Sequence, residues 1–133
     1  MTPAAYSRAV SRICTGAPLF SHKHEIGTRA GAIAVSRDIR TTGHKRLRRV
    51  DAVTKPVKTA AKDTRWIATE RKLVDMYARN YLRIWNQIER ANTAAQRARL
   101  PRVLHGLVHA ADALKLRAGK LELRLSVPDC TGG

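Results

Sequence analysis

The fold is decided by residues 66–88, which read WIATERKLVDMYARNYLRIWNQI. Neither Gly nor Pro occurs between residues 57 and 100, although the chain contains 8 Gly and 5 Pro. The apolar residues recur at steps of three, four and seven, which places them on one stripe of an α-helix. This stripe consists of Trp66, Leu73, Tyr77, Tyr81, Ile84 and Ile88, and it is widened by Ile67, Val74, Ala78 and Trp85. We therefore predict a long helix that is buried along much of its circumference.

Two helices are predicted before this central one. Thr2 and Pro3 suit the N-cap and the first turn of a short helix over residues 3–15. A period of about 3.5 residues predicts a long helix over residues 28–53. Its apolar stripe consists of Ala32, Val35, Ile39, Gly43, Leu47, Val50 and Val53. Gly31 and Gly43 each cost such a helix about 1 kcal/mol relative to Ala, so they indicate a kink or the close approach of another helix. Because Gly43 lies beside Thr41 and Thr42, the kink is expected there.

One helix is predicted after the central one. Leucines at residues 100, 107, 114 and 121 repeat every seven positions, which is typical of a heptad seam. We expect Pro101 to start this helix, and Thr93 with Gln96 to form a capping box for a separate short turn. The four predicted helices cover residues 3–15, 28–53, 60–91 and 101–125. Because their links are short, we predict an all-α, single-domain antiparallel bundle of three long helices plus a short N-terminal helix.

The charge of the chain indicates an anionic partner. The formal net charge is +16, and such an excess attracts nucleic acid, anionic membranes or envelope polymers. The face of the second helix opposite its apolar stripe is densely basic, and it contains no aromatic residue that could stack on bases. The predicted anion-binding residues are Arg37, Arg40, Lys45, Arg46, Arg48 and Arg49. The alternatives are a merely solvated face and a structural or protein-interaction subunit of a larger assembly; an exposed apolar row along the second or fourth helix would favour the latter.

Catalytic and metal-binding patterns are poorly matched. His105, His109 and Asp112 share one helical face and are the best candidate for a metal site. However, Gly106 stands where the zinc-protease pattern requires Glu, and a solvated face is the alternative. The loop residues His22 to Glu25 offer a second such cluster. Because Ser, His and acidic residues show no triad spacing, we predict a non-catalytic protein without a cofactor. No apolar run is long enough for a transmembrane segment.

Cys14 and Cys130 follow the first and last helices, so a disulfide could join them at one end of the bundle. The alternative is two small buried hydrophobic residues. The segments 13–17 (ICTGA) and 127–130 (VPDC), with the Ala/Arg-rich composition, resemble small actinobacterial extracytoplasmic helical proteins of uncharacterised function. This resemblance implies a disulfide-tied helical domain outside the cytoplasm and no catalytic residues. Residues 1–13 do not resemble a signal peptide, so a cytoplasmic or organellar location is the alternative.

Overall fold

A computed structural model describes residues 1–15, 28–57, 64–128 and 130. Four α-helices account for most of these residues, and within the described ranges no residue is in a β-strand. The helices are α1 (Pro3–Cys14), α2 (Arg29–Thr54), α3 (Arg65–Arg90) and α4 (Ala94–Leu125). Helix α3 packs against both α2 and α4, and α1 packs against α2. The predicted all-α helical bundle is therefore confirmed.

Threonine hydroxyl groups cap three of the four helix starts. Thr2 accepts a hydrogen bond from the N–H of Ala5 at 3.1 Å, and Thr28 accepts one from Gly31 at 3.0 Å. At the start of α4, Thr93 and Gln96 form the predicted capping box. Each cap satisfies a backbone N–H that has no partner inside the helix.

The predicted start of the last helix is wrong. Helix α4 begins at Ala94, and Pro101 lies inside it. Proline removes one helical N–H and is costly in a helix interior, but the capping box at Thr93 starts the helix upstream of it. The expected short turn and the expected last helix are thus one continuous helix. Residues 60–63, predicted as the beginning of the central helix, lie outside the described residues.

The core lies at the end of the bundle where α1 is packed. Trp66 of α3, Leu47 of α2 and Val10 of α1 are each 0 % exposed. The hydroxyl groups of Tyr6 and Thr54 are 2.8 Å apart and join α1 to the last turn of α2. Burial raises the pKa of Tyr6 above its usual value. The apolar stripe predicted for the second helix is confirmed, because its members are buried apart from the half-buried Val53.

Helices α2 and α3 approach closely at Gly43. A Cβ atom at this position would lie 2.5 Å from Cγ1 of Val74, so only glycine allows the two backbones to come together here. Nearby, the Ser36 hydroxyl donates to the Ala78 carbonyl at 2.6 Å. Of the two sequence-based explanations for Gly43, a close helix approach accounts for its presence.

A disulfide ties α1 to the segment after α4. Cys14 and Cys130 are paired, with their Cα atoms 4.5 Å apart, as their positions after the first and last helices predict. The Ser7 hydroxyl also donates to the Ser126 carbonyl. Ser126 has a positive φ of 54°, and its left-handed conformation ends α4 and turns the chain back towards α1.

Among the described residues, α3 and α4 extend beyond α2 at the other end of the bundle. Because Ser36 lies opposite Ala78 and α2 begins at Arg29, α2 extends alongside α3 only to about residue 85. From residue 81 to residue 110 no side chain is fully buried. Leu100 and Leu107 are half-buried here, as are Leu114 and Leu121 towards the other end, and Ile88, a member of the predicted α3 stripe, is 56 % exposed.

Candidate functional site

The basic strip predicted on α2 is largely exposed. We define the α2 strip as the exposed cations on the face opposite the buried stripe; it comprises Arg37, Arg40, Lys45, Arg48 and Arg49. These side chains alternate with the buried Ile39, Leu47 and Val50, which keep the helix in place. The exposure of the strip follows directly from the helical period, because burying one face of α2 leaves the opposite face in water.

Arg46 does not belong to this strip. Its side chain is half-buried, and its Nη1 donates to the Cys130 carbonyl at 3.0 Å. Burial lowers the pKa of the Arg46 guanidinium below its usual value. Residues two positions apart on a helix point about 200° away from each other, so Arg46 and Arg48 lie on different sides of α2. Arg46 is therefore described apart from the α2 strip, and its anion-binding role stays a prediction.

The edge of the α2 strip that faces α3 meets one carboxylate. Oδ1 of Asp75 lies 2.7 Å from Nε2 of His44 and 3.6 Å from Nε of Arg40. The Arg40 and Asp75 side chains are 57 % and 51 % exposed, so the ion pair contributes little to stability. It marks where the α2 strip meets the neighbouring surface of α3.

A second basic row lies on α3. Lys72, Arg79, Arg83 and Arg90 are all exposed, and they follow one another at steps of seven, four and seven. These steps keep all four within about 20° of one line along the helix. The row shares its helix with the aromatic stripe and is not among the predicted anion-binding residues. The signal was nevertheless present in the spacing of the basic residues.

The candidate metal ligands remain on the surface. His105 and His109 are exposed and stacked, with ring centroids 6.0 Å apart, and Asp112 is exposed as well. In the described part of the chain, no three His, Cys, Asp or Glu side chains converge in a way that could hold a metal ion. The cluster from His22 to Glu25 lies outside the described residues.

Two open clefts lie along α4. The cleft near its C-terminal end has a volume of about 580 Å³ and is lined by Leu116, Gly119, Leu123 and Val127, with Lys115 and Lys120 among the flanking residues. The cleft at the α3–α4 turn has a volume of about 310 Å³, and there Arg90 faces it from α3 and Arg99 from α4. The first is mainly apolar, whereas the second brings two guanidinium groups to one opening.

Comparison with known proteins finds no matching family model, no matching curated protein and no matching solved structure. None of the helices, as far as the structure describes them, combines the length and the hydropathy of a membrane span.

Proposed function

We propose that this protein is a non-catalytic binding module that docks on a polyanion through the α2 strip. The observation that carries the proposal is the exposure of five cationic side chains of α2. Three of them lie opposite the buried stripe, and the other two, Arg40 and Arg49, lie at opposite edges of that face. The chain as a whole carries a formal charge of +16, so long-range attraction and local contact act in the same direction.

Polyanions bind such a strip mainly by releasing their condensed counterions. Each phosphate neutralised by Lys or Arg contributes about 0.9 to the slope of log K against log salt concentration. Arg37 and Arg48 lie in one row of α2, since eleven residues make about three turns. Lys45 lies about 60° to the side of Arg48. An extended anion can therefore contact all three at once.

The test compares two variants of equal charge. Arg37, Lys45 and Arg48 are changed to Gln in one variant, and the exposed Arg8, Arg12 and Arg97 are changed to Gln in the control. Each variant lowers the formal charge from +16 to +13. Heparin, duplex DNA and anionic vesicles are titrated at two salt concentrations.

We expect the native chain to bind at least one of these probes at low salt. The α2 variant should lower the salt slope by about 2 to 3, and the control should change it by less than about 1. Failure of the native chain to bind any probe at low salt contradicts the proposal, as does an equal loss in both variants.

An alternative function is a protein-interaction subunit, and exposed apolar residues of α4 favour it. Leu123 is 83 % exposed, Leu116 is 65 % exposed and Val108 is 50 % exposed. Leu116 and Leu123 are seven residues apart and line the same cleft. If this surface binds another copy, the chain should form oligomers in solution that Leu116→Gln and Leu123→Gln dissociate; a monomer at high concentration contradicts that form of the alternative.

We propose in addition that the protein works in an oxidising compartment, as the resemblance to extracytoplasmic proteins implies. The pairing of Cys14 with Cys130 supports this location, because disulfides persist mainly outside reducing compartments. Thiol counting on native material should find no free thiol. Two free thiols per chain would indicate a reducing location instead.

A further inference from the structure

We infer that the α2 strip and the basic row of α3 form one cationic face, and that this face fits the phosphate backbones of double-stranded nucleic acid. The inference rests on the proposed function and deepens it, because it enlarges the binding surface to two helices and commits to one class of polyanion. The α3 row lies between a contact of α3 with α2 and a contact of α3 with α4.

The α3 row faces solvent between α2 and α4. Asp75, which contacts α2 through Arg40 and His44, lies about 60° to one side of the row. Asn80, whose amide donates to the Leu107 carbonyl of α4 at 3.2 Å, lies about 80° to the other side. The row therefore occupies the outward face of α3, and α2 and α4 flank it.

The row on α2 is built in the same way. Arg37, His44 and Arg48 are separated by seven and four residues, which are also the first two steps of the α3 row. His44 belongs to this row and reaches Asp75 directly. The rows thus run side by side on antiparallel helices, with axes about 8–10 Å apart, and Gly43 keeps them close.

Arginine dominates the combined face. Its cations are Arg37, Arg40, Lys45, Arg48, Lys72, Arg79, Arg83 and Arg90; Arg49 points about 180° away from Arg40 and lies outside it. Two carboxylates lie at the junction of the two helices: Asp75 contacts Arg40, and Asp51 of α2 contacts Arg71 of α3 at 3.9 Å. Guanidinium groups match phosphate oxygens with two parallel hydrogen bonds. The α3 row alone spans 18 residues, or about 27 Å, which suits an extended polymer better than a small anion.

The side chains near the face distinguish between classes of polyanion. Within the described ranges, no Phe, Trp or Tyr side chain of α2 or α3 is exposed. Stacking on unpaired bases therefore has no support. The exposed Ile88 lies about 160° around α3 from the row and so does not belong to the cationic face. Ile33, which is 41 % exposed, is the exposed large apolar side chain near the rows. Insertion into a membrane needs a broader apolar surface.

The spacing of the backbones in a nucleic-acid duplex matches the spacing of the two basic rows. The two backbones border grooves about 6 to 12 Å wide, which is the scale of the spacing between the α2 and α3 rows. Contacts of this kind neutralise phosphates and do not read bases, so the binding should not depend on sequence.

The experiment adds a third variant of equal charge to the two described above. Arg79, Arg83 and Arg90 are changed to Gln, which again lowers the formal charge from +16 to +13. Binding of a DNA duplex of about two turns is measured against a salt series, with a single strand of the same length and anionic phospholipid vesicles as further probes. Circular dichroism checks that each variant is folded. If the triple variant does not fold, the single variants Arg79→Gln and Arg83→Gln replace it in the binding measurements.

We expect the α3 variant and the α2 variant each to lower the duplex salt slope by about 2 to 3, and the control variant to lower it by less than about 1. Duplexes of unrelated sequence should bind equally, and more tightly than the single strand or the vesicles. If the α2 variant loses affinity while the α3 variant behaves like the control, the shared face is wrong and the proposed function stands. If neither variant differs from the control, both are wrong. Tighter binding to vesicles or to single strands overturns the assignment to a duplex.

Discussion

The two halves of α3 carry the same apolar stripe but lie in different surroundings. Between residues 65 and 80 eight side chains are buried, with Trp66 and Leu73 among the most enclosed. Between residues 81 and 90 none is buried, although Tyr81, Ile84 and Trp85 continue the stripe. The difference arises because α2 runs out near residue 85 and α1 packs at the opposite end. A regular apolar stripe therefore predicts a helix, and its neighbours decide how deeply each part is buried.

The comparison also locates the stability of the fold. The buried end combines the apolar core, the Tyr6–Thr54 hydrogen bond and the disulfide. The other end, the α3–α4 hairpin over residues 81–110, has half-buried contacts only. Local opening costs least where few apolar groups are enclosed, so the hairpin should open before the core does.

The largest expected effect comes from removing the disulfide at the buried end. Changing Cys14 and Cys130 to Ser opens a link across 116 residues of sequence. The chain-entropy model predicts a loss of about 4–5 kcal/mol in the free energy of unfolding. Urea unfolding of the native and double-variant chains measures it, and the reduced native chain should match the variant. A loss below about 1 kcal/mol would show that the core holds α1 without the link.

The two tryptophans of α3 compare its halves directly. Trp66→Ala removes a side chain that is 0 % exposed and should cost about 3–5 kcal/mol. Trp85→Ala removes a half-buried side chain, so its cost should stay below about 2 kcal/mol because less apolar area returns to water. Chemical denaturation of the two variants measures their losses in the free energy of unfolding. Equal losses would mean that the hairpin end contributes as much to the core as the α1 end.

Two glycine substitutions should change stability in opposite directions. Gly43→Ala places a Cβ 2.5 Å from Val74, and overpacking of this kind typically costs about 1–3 kcal/mol. Gly119 has no atom within 4 Å of an added Cβ, so Gly119→Ala should raise stability by about 0.5–1 kcal/mol through its helix propensity. Thermal unfolding measures both. A gain for Gly43→Ala would exclude a tight contact between α2 and α3.

The smallest effect is expected at the hairpin end. Thr93→Ala removes the hydroxyl that accepts from the Gln96 N–H at 3.1 Å, and such a change costs a helix about 1 kcal/mol. Because the hairpin opens locally, amide hydrogen exchange should accelerate in the first turns of α4 and not in the core of α2. Uniform acceleration along the chain would show that the two ends unfold together.

The candidate site could be predicted from the sequence only in part. The helical period places Arg37, Arg40 and Arg48 in water, because it places Ile39 and Leu47 in the core. The same period also places Arg46 on a different side of α2 from Arg48. What it does not predict is the contact of Arg46 with the Cys130 carbonyl, which joins residues 84 positions apart. The alignment of the α3 row with the α2 strip likewise depends on the packing of α2 against α3, in which Ser36 contacts Ala78 across 42 residues of sequence.

The sequence by itself determined the four described helices, apart from the start of the last one, because spacing and capping residues act within a few turns of chain. It also predicted that Cys14 and Cys130 could meet. Only the tertiary structure decided how far each helix extends beside the next, and hence that Trp66 is enclosed while Ile88 reaches water. It also decided that Gly43 is a contact point and that the two basic rows adjoin. These properties depend on the relative placement of distant segments, which the local pattern of residues does not specify.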